Sequence, residues 1–161
     1  MTAGFQFRPP SGEAMIRAVY GDIKERDLAK GMLSIDPGWE AENLVTLRDV
    51  CSTELNVRLH RLVVPSFEHC LVEAIARAPD YKIRMLGGFC ARRKMNNPSK
   101  RPSLHSWGAA FDANWDMNGF GHDGQRDLPD AVIDAFEAEG WEWGGSWRVP
   151  DYMHFQFATD F

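Results

Sequence analysis

The sequence predicts an α+β fold in which helices pack on one face of a mainly antiparallel sheet. Strand and helix patterns do not alternate in a regular βαβ order, and several strands are joined by short connections. The chain has 161 residues, of which 44% are hydrophobic and 25% are charged, an ordinary globular composition. A chain of this length can bury about 70% of its extended surface, which is enough for one core. We therefore expect a single domain over residues 1–161.

The first predicted element is a short helix near the N-terminus. Ser11 is its predicted N-cap, Glu13 lies in its first turn, and Gly21 follows its end. Residues 22–42 are predicted to be rich in loops, because they contain the turn signal Asp36-Pro37-Gly38.

A strand and a second helix are predicted in the middle of the chain. The run from Leu55 to Val64 is rich in Val and Leu with partial alternation, which favours a strand. Pro65-Ser66 opens the helix and Pro79-Asp80 closes it. Its apolar residues recur at helical spacing; they are Phe67, Cys70, Leu71, Ala74, Ile75 and Ala78.

Three strands and one helix are predicted in the second half. The strands cover Tyr81 to Leu86, roughly Ala109 to Trp115, and Met153 to Phe157. The helix begins near Pro129 and stops at Gly140.

Charge and cysteine usage exclude several classes of function. The formal net charge of −5 argues against nucleic acid as a partner, since phosphate binding usually needs a basic face. No run of 18 apolar residues occurs, so no membrane insertion is expected.

The three cysteines form neither a C-x-x-C pair nor an even set; they are Cys51, Cys70 and Cys90. This pattern indicates buried thiols in a reducing compartment. We expect a monomer that is made in the cytoplasm without a signal peptide.

Two sequence blocks in the second half contain the residues typical of a metal site. Two histidines and one carboxylate on a rigid scaffold, with one position left open, are a common plan for catalytic zinc. On the last strand, His154 and Gln156 face one side and Phe155 the other, so His154 can point into a cleft while the strand is anchored in the core. Asp112 shares a face with Asn114 in the same way. Either residue could instead be structural: a histidine can be hydrogen-bonded in a strand, and Asp112 can be a cap or turn former.

The sequence motifs in these blocks resemble those of the LAS zinc peptidases. The blocks are Ser103-Leu-His-Ser-Trp-Gly-Ala-Ala-Phe-Asp112, then Trp141-Glu-Trp-Gly-Gly-Ser-Trp147, then Asp151-Tyr-Met-His154-Phe155. The resemblance covers roughly residues 57–157 and is greatest to the single-domain phage endolysins. It implies the fold shared by DD-peptidases and hedgehog proteins.

The resemblance implies zinc as the cofactor, with His105, Asp112 and His154 as its ligands. It implies that Asp151 is the catalytic acidic residue. The segment Gly87-Gly-Phe-Cys-Ala-Arg92 is similar to the family's G-G-Y-x-x-R element, whose arginine contacts the scissile carbonyl or a substrate carboxylate.

Two alternatives to these assignments stay open in the sequence. Arg93 and Lys94 adjoin Arg92, so either could occupy the arginine position after a shift of register. Glu142 is a rival general base by chemistry, although it lacks the short spacing to His154 that Asp151 has.

The family resemblance implies a hydrolase that cuts an amide bond in peptidoglycan stem peptides. An L-alanyl-D-glutamate endopeptidase, acting as a phage endolysin on the cell wall after its release, is the leading hypothesis. A D-alanyl-D-alanine carboxypeptidase is the alternative within the family, and a non-catalytic zinc-binding interaction module is the alternative in a different class.

Several other residues are interpreted as structural. His60 and His69 are expected to be structural or solvated, and His122 is expected to lie in a plain loop. The basic run from Arg92 to Arg101 is either a solvated loop or an attractor of carboxylate-rich substrate. Four tryptophans near the ligands are expected to be mostly packing residues, with one lining the groove; they are Trp107, Trp141, Trp143 and Trp147.

Overall fold

A computed structural model describes residues 7–51 and 54–161 of the chain. Helices and short strands alternate irregularly along it. In chain order the elements are α1 (Gly12–Tyr20), β1 (Arg26–Asp27), β2 (Leu33–Ser34), α2 (Pro37–Asn43), β3 (Leu44–Val50), β4 (Leu55–His60), α3 (Val64–Arg77), β5 (Leu86–Gly87), β6 (Ala110–Ala113), α4 (Asp130–Glu137), β7 (Glu142–Trp143) and β8 (His154–Gln156).

The sheet that organises the second half has four strands in the order β5-β6-β8-β7, and all neighbours are antiparallel. Two smaller antiparallel pairs, β1-β2 and β3-β4, lie in the first half. The expected α+β class with a mainly antiparallel sheet is confirmed.

One face of the four-stranded sheet is buried by α3 and α4. Phe111 of β6 lies opposite Phe155 of β8, and their rings stack with centroids 5.0 Å apart. Phe67 of α3 and Phe136 of α4 each pack on Phe111 at the same centroid distance of 5.0 Å. These rings are nearly inaccessible to water, and aromatic side chains of this size contribute much of the energy of a small core. The opposite face of the same strands is therefore left free for polar residues.

The predicted helices occur close to their expected bounds. Ser11 and Gly21 flank α1, although the Ser11 hydroxyl bonds Asp160 at 2.6 Å rather than capping the helix. The middle helix starts one residue before Pro65, and the late helix starts one residue after Pro129. Local start and stop signals were therefore sufficient for these three elements.

In the first half, one prediction was wrong and one strand was not predicted. Asp36 does not begin an isolated turn: its carboxylate accepts a hydrogen bond from the Gly38 N–H and caps α2, with Pro37 in the first helical turn. Strand β3, which pairs with β4, was not predicted; the loop-rich reading ended at residue 42, and nothing was assigned to 44–50.

The strand predicted from Tyr81 to Leu86 is also wrong for most of its length, since only Leu86 and Gly87 pair with β6. The backbone N–H groups of Arg84 and Met85 donate instead to the Asn114 side-chain oxygen, at 2.7 and 3.0 Å. Asn114 itself has a φ of +46°, which ends β6 two residues before the predicted limit.

The N-terminal third packs on the core next to β4, where the Tyr20 ring lies against the His60 ring with centroids 4.9 Å apart. The Tyr20 hydroxyl donates to the Phe157 carbonyl oxygen at 2.6 Å, and the Trp39 indole donates to the Tyr20 carbonyl oxygen at 2.9 Å.

No helix in residues 7–51 and 54–161 is long and apolar enough to cross a membrane.

His60 is a buried structural residue, as expected. It is fully inaccessible; its Nε2–H donates to the Tyr20 carbonyl oxygen at 3.2 Å, and its Nδ1 accepts from the Leu62 N–H at 3.2 Å. Burial lowers the pKa of His60 from 6.5 to about 4. The contact with Leu62 requires the neutral ring, because Nδ1 can accept only when it is unprotonated.

We expect the stability of the metal-free protein to fall with acid through His60. A depressed folded pKa stabilises the fold above pH 6.5, and this contribution is lost as the pH falls toward 4, for a total of about 3 kcal/mol. Urea unfolding at pH 7.0, 5.5 and 4.5, with excess chelator, measures it. His60→Asn should flatten the pH slope, whereas the exposed His69→Ala should retain the slope of the unaltered protein. Equal slopes in all three proteins would contradict the assignment.

Candidate metal centre

The pairing of β6 with β8 places two of the predicted ligands side by side. Asp112 lies directly opposite His154, one position along from the core pair Phe111 and Phe155. Because side chains alternate across a strand, the aromatic pair faces the helices while Asp112 and His154 face the other side of the sheet. The register of β6 on β8 therefore aligns the aromatic pair of the core on one face and the two predicted ligands on the other.

The third predicted ligand, His105, comes from a short 3₁₀ turn over Leu104–Trp107. The chain then reverses at Gly108, which has a φ of +66°. A β-carbon at Gly108 would lie 2.7 Å from Leu44 Cδ2 and 2.8 Å from the His60 nitrogen. Glycine is therefore needed here both for its backbone angle and for the close approach to β4.

The three side chains converge on one point. His105 Nε2 lies 3.1 Å from His154 Nδ1 and 3.3 Å from Asp112 Oδ2, and His154 Nδ1 lies 3.0 Å from Asp112 Oδ1. One ligand atom from each residue lies within 4.8 Å of the others. Both histidines are buried, with 2% and 6% of their surface exposed, so water competes little for these atoms.

The hydrogen bonds at the far nitrogen of each ring determine what faces the centre. His105 Nδ1 lies 2.7 Å from the Gly88 carbonyl oxygen, and His154 Nε2 lies 3.2 Å from Gln156 Oε1. An oxygen acceptor requires an N–H at each of these positions, so when the rings are neutral, as a metal ligand must be, the inner nitrogens carry the lone pairs. Two imidazole lone pairs and a carboxylate that converge in this way fit a cation, and the set of donors suits Zn²⁺.

The three groups shift one another's ionisation when no metal is bound. Burial alone would raise the pKa of Asp112, but the neighbouring charges of His105 and His154 hold it well below its usual range. Burial opposes the charged form of His154, yet its hydrogen bond and attraction to Asp112 raise its pKa. In the metal-free cluster, Asp112 is therefore ionised, and its negative charge favours a positive charge on the neighbouring histidine.

Asp151 lies beside this cluster on a tight turn. Its N–H donates to the Gly144 carbonyl oxygen at 2.9 Å, and its own carbonyl oxygen accepts from the His154 N–H at 3.2 Å. A β-carbon at Gly144 would lie 2.7 Å from the Asp151 carbonyl oxygen, so only glycine allows this close packing. This contact explains the first glycine of the W-G-G-S-W block.

The Asp151 carboxylate has the properties of a proton acceptor. Its Oδ1 is buried and has no hydrogen-bond partner among the described residues. Burial raises the pKa of Asp151, and the charges of His154 and Arg92 oppose that rise. A raised pKa brings a carboxylate closer to the pH at which general base catalysis is efficient.

The neighbours of Arg92 are committed to other contacts. Arg93 pairs with Asp27 at 2.6 Å, and the Lys94 ammonium lies 4.4 Å from the ring centre of Phe161. The Arg92 guanidinium makes no hydrogen bond or ion pair within residues 7–51 and 54–161, and its charge acts on Asp151. This geometry favours Arg92 over its neighbours as the arginine that meets a substrate.

The basic run is not simply a solvated loop. Besides the contacts of Arg93 and Lys94, Arg101 stacks on the Phe161 ring, 4.2 Å from its centre, and the Lys100 ammonium lies 3.3 Å from Met95 Sδ. Four of its five charges therefore have partners within the chain. Substrate attraction by the whole run therefore has less support than a role for Arg92 alone.

Glu142, the rival base, has both of its oxygens occupied. The Trp147 indole donates to Oε1, and the Gln156 amide donates to Oε2 at 3.3 Å. Both Glu142 oxygens therefore already have partners, whereas Asp151 Oδ1 has none among the described residues, so the geometry favours Asp151.

The remaining candidates lie away from the centre. His69 is exposed, with its Nε2 3.6 Å from a Glu139 oxygen, and His122 is exposed in its loop. Within the described part of the chain, Trp147 is the one tryptophan whose ring packs on a ligand, with its centroid 5.2 Å from that of His154. All three cysteines are free, and only Cys70 is fully buried.

Residues 97–157 match a family model described as D-alanyl-D-alanine carboxypeptidase. This family is a LAS-type zinc peptidase family. The predicted resemblance to the LAS zinc peptidases is therefore confirmed over this segment, which contains His105, Asp112, Asp151 and His154. The match and the cluster of three possible ligands together support a metallopeptidase. Arg92 lies before the matched segment. No curated protein and no solved structure matches the chain.

Sequence reasoning missed the groups that hold the ligands in place. The Gly88 carbonyl gave no signal, because any residue has one. Gln156 gave a usable signal, since it shares a face of the strand with His154.

Proposed function

We propose that this protein is a zinc-dependent peptidoglycan peptidase in which Asp151 is the general base. The observation that carries this proposal is the buried, unpartnered Oδ1 of Asp151 next to three convergent ligands. A purely structural carboxylate at this depth would be expected to have a partner.

His105 Nε2, His154 Nδ1 and Asp112 would hold the metal. When bound, zinc supplies a Lewis acid that polarises the scissile carbonyl and lowers the pKa of a water from about 15.7 to about 7. Asp151 Oδ1 accepts a proton from the attacking water as the new C–O bond forms. It then returns that proton to the amine nitrogen as the C–N bond breaks.

Arg92 supplies the second positive charge of the site. Its guanidinium stabilises the negative charge that develops on the carbonyl oxygen, or binds a carboxylate of the stem peptide. Trp147, which packs on His154, lines the substrate groove beside the scissile bond.

Arg92→Ala is expected to keep its zinc and to lower kcat/KM by about 10²–10³, the usual loss when one group that stabilises an oxyanion is removed. Metal analysis and turnover of purified peptidoglycan measure the two quantities. Lys100→Ala, in the same basic run, should behave like the unaltered protein. Unchanged kcat/KM for Arg92→Ala would return the assignment to Arg93 or Lys94.

We propose L-alanyl-D-glutamate endopeptidase as the specific activity, with the protein acting as a phage endolysin on the cell wall after release from the cytoplasm. The resemblance to single-domain phage lysis enzymes supports this choice. The description of the matched family favours a second candidate, a D-alanyl-D-alanine carboxypeptidase.

Digestion of purified sacculi, followed by chromatography and mass spectrometry, separates the two activities. New N-terminal D-glutamate identifies the endopeptidase, and released D-alanine identifies the carboxypeptidase. Zinc binding with neither product would support a non-catalytic zinc module and contradict the proposed function.

Removal of the metal is expected to abolish activity without unfolding the protein. The aromatic core between the sheet, α3 and α4 contains none of the three ligands, so the fold does not depend on zinc as a zinc finger does. Circular dichroism and turnover with and without phenanthroline test this, with added zinc restoring activity. Global unfolding on chelation would show that the metal is structural.

A further inference from the structure

We propose that Gln156 positions His154 as a metal ligand, and that Glu142 and Trp147 hold Gln156 in place. This inference rests on the proposed function, because it concerns the ligand set of the same site. It assigns a role to two polar side chains of the sheet that the chemistry leaves unused.

The orientation of the Gln156 amide follows from its partners. Its Nε2 lies 3.3 Å from Glu142 Oε2 and 3.3 Å from the Ala158 carbonyl oxygen, and both of these atoms can only accept. The amide nitrogen must therefore face Glu142 and Ala158, which leaves Oε1 facing His154 Nε2 at 3.2 Å. A flipped amide would place its oxygen against two acceptors.

This orientation determines which nitrogen of His154 is free. The Gln156 oxygen can accept only from an N–H, so the proton of the neutral ring is held at Nε2 and Nδ1 keeps its lone pair. Nδ1 is the atom that lies 3.1 Å from His105 Nε2 and 3.0 Å from Asp112 Oδ1. Gln156 therefore does for His154 what the Gly88 carbonyl does for His105.

Burial and register show that the arrangement is built into the sheet. Gln156 is 2% exposed, and it lies opposite Glu142 of β7 on one side and Ala110 of β6 on the other. Glu142 is held in turn by the Trp147 indole. A buried amide is costly unless all of its hydrogen bonds are made, and here each polar atom has a partner.

The test is the zinc affinity of the whole protein, measured by competition with a chromophoric chelator. Gln156→Met keeps the length of the side chain but removes the acceptor, and it should weaken zinc binding about 10–100-fold, the usual effect of losing such a partner. The exchanged pair, Gln156→Glu with Glu142→Gln, restores an acceptor for His154 at unchanged total charge. It should recover most of the lost affinity.

Both variants lose the hydrogen bond to the Ala158 carbonyl oxygen, but only Gln156→Met lacks the acceptor for His154. The exchanged pair also places a carboxylate oxygen near that carbonyl, so any affinity it recovers comes from the restored acceptor and not from better packing. Ser66→Ala is the structural control, since it removes a buried hydrogen bond to Trp141 in the core. It should lower the melting temperature of the metal-free protein and leave the zinc affinity unchanged. If Gln156→Met does not fold, Trp147→Phe tests the same chain of contacts, with a smaller expected loss of affinity.

Zinc affinity of Gln156→Met or Trp147→Phe within twofold of the unaltered protein would overturn the inference. So would an exchanged pair that folds but recovers no affinity. If the unaltered protein binds no zinc, the proposed function fails together with the inference. If it binds zinc but cuts no peptidoglycan, only the proposed function fails, and the affinities still decide the role of Gln156.

Discussion

Replacing Asp151 by Asn is expected to lower kcat by about 10²–10⁴ while zinc content and fold are preserved, because general base assistance contributes about that factor. The change removes the proton acceptor but keeps the shape of the side chain, and it leaves the three ligands intact. The effect on KM should be smaller, since the interaction is made in the transition state. Steady-state turnover of purified peptidoglycan measures both constants.

Asp134→Asn is the matched control for this change. Asp134 is exposed on α4, which packs on the opposite face of the sheet, so its variant should turn over normally. Near-normal turnover of Asp151→Asn would contradict the mechanism. Glu142 would then be the next carboxylate to examine, despite its two hydrogen bonds.

Loss of any one metal ligand is expected to remove metal and activity together. His105→Ala and His154→Ala each take away one of two buried imidazole ligands, and Asp112→Ala takes away the only carboxylate of the set. Two remaining ligands hold zinc poorly, so each variant should purify with far less than one zinc per chain. Metal analysis by mass spectrometry and the sacculus assay record the two losses.

His60→Ala and His69→Ala are the controls, because neither histidine lies in the cluster of ligands. Both should keep one zinc per chain. Full zinc content in His154→Ala would remove His154 from the ligand set and, with it, the proposed role of Gln156.

The pattern of the chain was enough to predict the two strands that carry Asp112 and His154, but not the 3₁₀ turn that carries His105. Alternation along the last strand predicted that His154 and the core residue Phe155 lie on opposite faces of the sheet. The structure has this arrangement, because side chains alternate along any strand, whichever strand it pairs with. The match over residues 97–157 confirms the family resemblance that linked His105, Asp112 and His154. The roles of these residues in catalysis stay predictions.

What could not be predicted depends on contacts between distant parts of the chain. Tyr81–Met85 alternates like a strand, but the Asn114 side chain takes the hydrogen bonds of two of its backbone N–H groups. The fixed orientation of Gln156 depends on Glu142, fourteen residues away. Neither contact leaves a local trace in the sequence, because each pairs one common polar residue with another.

The unpartnered oxygen of Asp151 lowers the stability of the fold while serving the proposed catalytic activity. A buried acceptor without a hydrogen bond costs about 1–3 kcal/mol, and the raised pKa of Asp151 shows that its charged form is disfavoured in the metal-free fold. Directed evolution that selects only for heat resistance would therefore be expected to discard this carboxylate early and to enrich inactive proteins. A useful thermostable form of this protein has to be selected under a simultaneous requirement for turnover.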